Sequence, residues 1–285
     1  NLKEIRNRIT SIGSTMQITS AMKMVSAAKL KKAQDAITAM RPYSSKLTEL
    51  LQSLSATLDS DAGGDYSNQR EVSKALIVVV TSNRGLCGGF NSSVVKKTIK
   101  TIESNYTNTT VDLLTIGKKG HGVLSKTYNV IENNNEIFDD LTFDNVAVIA
   151  EKLMSLFVDG SYDKIEIVYN QFKNAATQIA MVEQFLPIKP IEQENANVNL
   201  DYIFEPSKEE IVLALIPKSL KTQLYKSIRD SFASEHGARM TAMHKATDNA
   251  TDLRDELLLT YNKARQAAIT NEILEIVGGA EALKS

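Results

Sequence analysis

The sequence predicts an α/β domain inserted between two long helices, one at each end of the chain, that pair as an antiparallel coiled coil. Three observations carry this reading. Hydrophobic and small residues recur at alternating spacings of 3 and 4 from Leu2 to Leu58, a similar spacing returns between Met243 and Leu274, and the segment between them is rich in β-branched runs. A repeat averaging about 3.5 residues belongs to helices that wind around each other, whereas short β-branched runs bounded by turn residues belong to strands.

The N-terminal seam reads Leu2, Ile5, Ile9, Ile12, Met16, Thr19, Lys23, Ser26, Leu30, Ala33, Ile37, Met40, Ser44 and Leu47, and continues to Leu58. As one helix, residues 2 to 58 would reach ~85 Å at ~1.5 Å per residue. Pro42 should kink this helix or mark a junction, because its ring removes one backbone donor and crowds the preceding turn. Gly63 and Gly64 should end the arm.

Between the helices, Ala75 to Thr81 (ALIVVVT) reads as a fully buried, parallel strand. A loop from Asn83 to Asn91 leads to a helix near Ser92 to Asn105, followed by a strand near Val111 to Ile116, a short helix after Gly117 and a weak strand at Tyr128 to Ile131. Phe143 to Val158 is an amphipathic helix, and Lys164 to Phe172 and Gln178 to Phe185 are strands. Alternating strands and helices predict a Rossmann-like layered domain with a mostly parallel sheet.

The C-terminal helix is expected to begin with Pro217 in its first turn. Its seam reads Met243, Ala246, Ala250, Leu253, Leu257, Thr260, Ala264, Ala267, Asn271 and Leu274, and its alanines permit close approach of a second helix. An antiparallel pair is the simplest arrangement; two separate helices of a larger bundle are the alternative. The expected organisation is a coil helix over residues 1–60, an α/β foot over 70–205 and a second coil helix over 207–285.

A net charge of -1 excludes a polyelectrolyte and argues against a nucleic-acid protein. The charge is segregated, however. Residues 1–46 hold nine basic groups against Glu4 and Asp35, whereas residues 192–210 hold six acids against Lys208. Segregated charge implies segregated partners. A single cysteine, Cys87, excludes an intrachain disulfide. No apolar run approaches the ~20 residues of a membrane-spanning helix and no signal peptide is evident, so the chain reads as soluble.

The loop TSNRGLCGGFNSS, residues 81–93, follows a strand and precedes a helix, where phosphate cradles sit, but its glycines do not form GxGxxG and the chain contains no GxxxxGK[ST]. Cys87 reads as a structural thiol, and His236 and His244 lie two helical turns apart, too far for one metal ion. No catalytic, cofactor-binding or metal site is assigned. The anomaly lies in the first seam, where ITSAMKMVSAA (residues 18–28) puts Thr19, Lys23 and Ser26 on the seam and Ile18, Met22, Met24 and Val25 on the rest of the surface. A two-helix coil would leave that surface in water, so a sheath of other protein is expected to cover it.

Three segments, ITSAMKMVSAAKLKKAQ, TSNRGLCGGFNSS and the stretch from SEHGARM through YNKARQAAIT to EIVGGAEAL, together resemble the gamma subunits of F-type ATP synthases along essentially the whole chain. The resemblance implies a non-catalytic central rotor shaft. Its paired helices would turn within alternating alpha and beta subunits, and its foot would meet the epsilon subunit and the membrane c-ring, on the cytoplasmic face of a bacterial inner membrane. Position by position, it assigns beta-subunit contacts to Met22, Arg84, Arg239, Arg265 and Gln266, and epsilon or ring contacts to Tyr202, Phe204 and Glu205 in DYIFEP. Asn83 departs from the aspartate usual before RGLCGG. Two other readings stay open from the residues alone: a Rossmann-like nucleotide-binding enzyme carrying an oligomerisation coil, and a general coiled-coil scaffold.

Overall fold

A computed structural model describes residues 2–55, 64–188 and 207–282. Helix α1 runs over Leu2–Ser55 and helix α5 over Lys208–Ala282. Between them lie β1 (Lys74–Val80), α2 (Phe90–Asn105), β2 (Thr110–Ile116), α3 (Lys118–Leu124), β3 (Asn129–Asn133), α4 (Phe143–Val158), β4 (Lys164–Phe172) and β5 (Gln178–Leu186). The expected fold class is therefore found, with each expected strand and helix present. Contacts gather the chain into two units, Asn1–Ser26 with Met240–Ser285, and Ala27–Arg239.

In the first unit the helices pair antiparallel. Arg6 donates to the Tyr261 hydroxyl at 2.6 Å, Thr251 lies 3.3 Å from Met16 Sδ, Thr19 bonds Thr247 at 2.8 Å, and Lys23 Nζ lies 3.3 Å from His244 Nδ1. As the α1 number rises its partner's falls in step, which sets one register for the pair. Every α1 seam position from Leu2 to Leu47 is buried or half-buried, as the spacing predicts. The seam's end at Leu58 and the stop at Gly63 lie outside the described residues.

The α5 seam differs from the expected one. The less exposed positions run Met243, Ala246, Thr247, Ala250, Thr251, Arg254, Leu257, Tyr261 and Ala264, whereas the expected Leu253, Thr260, Ala267, Asn271 and Leu274 face outward. A residue choice based on hydrophobicity favours Leu253, but the seam accepts Arg254 and Tyr261 because their long stem and ring cover the partner while their polar ends reach its edge. Beyond Ala264 the described side chains of α5 through Ala280 are all exposed, consistent with the register, which brings α1 to its start there.

The expected start of α5 is corrected, and Pro42 marks no junction in α1. Helix α5 begins nine residues before Pro217, where the Ser207 hydroxyl accepts from the Glu210 N–H at 3.2 Å and caps the first turn. Helix α1 continues through Pro42. Each proline deprives the carbonyl four residues earlier of its partner, and those residues, Thr38 and Leu213, are exposed, so water can satisfy the freed group.

The second unit is a three-layer α/β domain. Its sheet has the order β3-β2-β1-β4-β5, parallel except for β5, which runs antiparallel to β4. Alternation splits β1 between two cores. Leu76, Val78 and Val80 pack with Val146, Leu153 and Phe157 of α4 and with Leu220, Leu224 and Ile228 of α5. Ala75, Ile77 and Val79 pack with Val94, Val95 and Ile102 of α2. Apolar cover on both faces is why β1 reads as an uninterrupted hydrophobic run.

Candidate functional site

The loop from Thr81 to Gly89 leaves the carboxyl end of β1, beside the point where strand order reverses between β1 and β4. Open α/β sheets bind ligands in the crevice at such a point. Here the chain's own groups close the loop. The Thr81 hydroxyl accepts from the Gly120 N–H at 2.9 Å, and Asn91 Oδ1 accepts from the Ser82 N–H at 2.9 Å. Gly117 has φ 109, and a Cβ there would stand 2.3 Å from the Thr81 carbonyl oxygen, so only glycine permits this approach. Asn83 uses both ends of its amide, donating to the Asn135 carbonyl at 2.8 Å and accepting from the Lys118 N–H at 3.1 Å. Aspartate could make only the second bond, and would set a carboxylate against the Asn135 carbonyl.

The crevice itself is filled by α5. The Ser234 hydroxyl donates to the carbonyl of Asn170 on β4 at 3.0 Å, and the Asn170 amide donates to the Phe90 carbonyl at 2.9 Å. Cys87, Phe90 and Ala238 form a small apolar cluster. A Cβ on Gly237 would come within 3.2 Å of the Ala175 backbone. Small residues at 233, 234, 237 and 238 thus let the helix lie against the sheet end. They stand in the sequence as ASEHGA, spaced to share a helix face, but nothing local says what that face meets.

Arg239 is the charged centre of this contact. It is 7% exposed and pairs with Glu235 at 2.7 Å. Its second terminal nitrogen donates to the carbonyls of Arg84 and Gly85, each at 3.3 Å. Burial pushes the Glu235 carboxyl above its usual range, against the pull of Arg239, Lys29 and Arg84. Burial, with Arg239 and Lys29 nearby, drives the His236 imidazole down to about 3, so the ring is neutral. Arg239 lies 3.4 Å from His236 Nδ1, which must accept, placing the ring proton on Nε2. Burial also raises the Cys87 thiol, which keeps it protonated and a poor nucleophile.

The structure brings two of the expected contact residues together, Arg84 and Arg239, and separates their roles: the Arg84 side chain is exposed and Arg239 is buried beneath it. Met22 is half-buried in the coiled unit, and Arg265 and Gln266 are exposed there, next to the last seam residue, Ala264. In the coil register Arg265 falls near the start of α1, ~30 Å along the axis from Met22 at ~1.5 Å per residue. Tyr202, Phe204 and Glu205 lie outside the described residues. The apolar surface expected on residues 18–28 is present, with Ile18 60%, Met24 65% and Val25 57% exposed. Among the described residues, no helix is long and apolar enough to cross a membrane.

Residues 1–283 match the family model described as ATP synthase. The chain is 74% identical over 284 residues to the ATP synthase gamma chain of Flavobacterium psychrophilum, spanning all of this chain and 99% of that one. It is 53% identical over 293 residues to the ATP synthase gamma chain of Cytophaga hutchinsonii, spanning 100% of this chain and 99% of that one. Among solved structures it resembles a chain of the central stalk and c-ring of Tetrahymena thermophila mitochondrial ATP synthase, at 26% identity and TM-score 0.61 over 80% of this chain and 99% of that one. A chain of the Euglena gracilis mitochondrial ATP synthase rotor shares the fold, at 21% identity and TM-score 0.69 over 94% and 98%. Matched along its whole length, the chain belongs to the ATP synthase gamma chain family.

Proposed function

We propose that this chain is the central stalk of a rotary ATP synthase, which couples rotation of a membrane ring to nucleotide chemistry in a surrounding ring of alpha and beta subunits. The observation that carries the reading is the end of α5. Past Ala264, Ile269, Ile273, Leu274, Ile276 and Val277 are all exposed. Each such side chain gains roughly 1.5–3 kcal/mol on full burial, and a row of them at the end of a helix calls for an apolar socket in another protein. The exposed Ile18, Met24 and Val25 extend the same requirement along the coil.

In this role the chain does no chemistry itself. The sheet-end crevice, which would hold the nucleotide under the enzyme reading, is occupied by α5. The stalk acts by differential contact. A single copy set among three beta subunits has no threefold axis, so each beta subunit meets a different face and differs in its affinity for nucleotide. Arg84, Arg265 and Gln266 are exposed and suited to gripping acidic loops: an arginine fork holds a carboxylate in two bonds, and an exposed pair is weak enough to break at each step. Met22 would lie at the collar. Tyr202, Phe204 and Glu205 would meet epsilon and the ring, placing the complex peripherally on the cytoplasmic face of a bacterial membrane.

Replacing Arg265 and Gln266 together with alanine should lower ATP synthesis by the reconstituted complex about five- to thirtyfold, the loss of one or two contacts of about 1 kcal/mol. Synthesis at the unaltered rate sinks the assignment of these contacts. Native mass spectrometry should find one copy of this chain per six-subunit ring.

A further inference from the structure

Among the described residues, Arg239 is the only arginine or lysine that is buried. It reaches Arg84 and Gly85 through their backbones, not their side chains. The next residue, Leu86, has φ 60 and is 65% exposed. A leucine held in the left-handed region costs roughly 1–2 kcal/mol, so the loop does not keep this shape by its own preference. Beside the Ser82 hydroxyl, which donates to the Arg84 carbonyl at 2.5 Å, two further anchors hold it. Cys87, 1% exposed, is pinned against Phe90 and Ala238, and Arg239 clamps the two carbonyls immediately before Leu86. Between the anchors, Arg84 and Leu86 point to solvent.

The orientation of Arg239 is itself set. Glu235, one turn back on α5, takes one terminal nitrogen at 2.7 Å, which leaves the other aimed at the loop. A lysine could pair with Glu235 but could not span the ion pair and both carbonyls with one rigid fork.

We propose that Arg239 is a positioning residue: it fixes the backbone of residues 84–86 so that the Arg84 side chain is presented, already ordered, to a carboxylate-bearing surface of the neighbouring subunit. The resemblance places Arg239 in contact with the beta subunit directly; the structure assigns it a role one layer beneath, acting through Arg84. This rests on the stalk reading above. Pre-ordering matters because a contact made and broken at every step repeats the cost of ordering a loose loop each time.

A double-mutant cycle in the reconstituted complex, with thiol labelling of Cys87 on the assembled protein, tests it. Arg239→Gln should speed labelling of the Cys87 thiol, 1% exposed at the end of the loop, about tenfold while hydrogen exchange of the β1 amides stays slow. Arg84→Ala and Arg239→Gln should each lower ATP turnover by up to about fivefold, and the double variant should be no slower than Arg84→Ala alone. A double variant showing the product of the two losses overturns the proposal, since Arg239 would then act independently. Unchanged labelling of Cys87 overturns it as well. Should Arg239→Gln fail to assemble, Arg239→Lys carries the same cycle: it retains the charge beside Glu235 and should still release the loop. Arg84→Ala at full turnover with a loosened loop in the Arg239 variant removes the partner contact from the stalk reading and leaves the tether standing, so the two failures can be told apart.

Discussion

A neutral histidine sealed beside a buried ion pair makes the stability of the α/β unit depend on pH. His236 is 5% exposed, its Nε2 has no partner, and its ring faces Arg239 on its own helix and Lys29 on α1. Its folded pKa is about 3, whereas an unfolded histidine titrates near about 6.5. The stabilisation from keeping it neutral is therefore complete above about pH 6.5 and is lost as the pH falls toward 3, because the unfolded chain takes up a proton that the folded one refuses. The expected slope is about 1.4 kcal/mol per pH unit for that one proton. Glu235 acts in the opposite sense, since its raised carboxyl takes up a proton in the folded state first, so the wild type alone shows a blend. The difference between wild type and His236→Gln in urea unfolding isolates the histidine: the gap should narrow steadily from pH 6.5 to 5, and a constant gap would show that the ring is protonated in the fold.

At the scale of elements, the α5 seam separates hydrophobicity from burial. Leu253 carries the stronger apolar side chain and faces out at 46% exposure, whereas its neighbour Arg254 lies on the seam. Replacing Leu253 with serine should cost under about 0.5 kcal/mol of thermal stability, the usual size of a surface change. Replacing Ala250, 9% exposed against α1, with leucine should cost about 1–3 kcal/mol, because the added carbons have no space between the helices. The reverse order of costs would restore the seam expected from spacing. The uninterrupted passage of both helices through Pro42 and Pro217 belongs to the same scale. A proline disrupts a helix by orphaning one carbonyl, and the disruption is mild where that carbonyl meets water.

For the whole molecule, the row of exposed side chains at the end of α5 predicts that its contribution lies outside the chain. Removing everything after Gln266 should leave the thermal unfolding of the isolated chain within about 0.5 kcal/mol of the original, since no side chain described there is buried against another part of it. In the reconstituted complex the same deletion should weaken retention of the stalk, read as a lower yield of intact ring with stalk in native mass spectrometry. A large loss of stability in the isolated chain would mean that the segment packs within the chain, and would remove the observation on which the stalk reading stands.

Local periods in the amino-acid sequence settle the class and order of the elements, the first coil seam as far as Leu47 and a loop after β1, expected at Asn83 to Asn91 and found from Thr81 to Gly89. A run of β-branched residues is a strand wherever it packs, and a repeat alternating 3 and 4 is a helix seam whatever its partner. Three things are settled only on folding: that Arg239 is buried while Arg84 is exposed, that α5 fills the sheet-end crevice, and that Arg254 and Tyr261 complete the second seam. Each depends on the approach of segments far apart in the chain, 155 residues in the case of Arg239 and Arg84. In the sequence these are two arginines with the same chemistry. Their roles follow from which one the fold removes from water and obliges to spend its hydrogen bonds on the backbone of the other's loop.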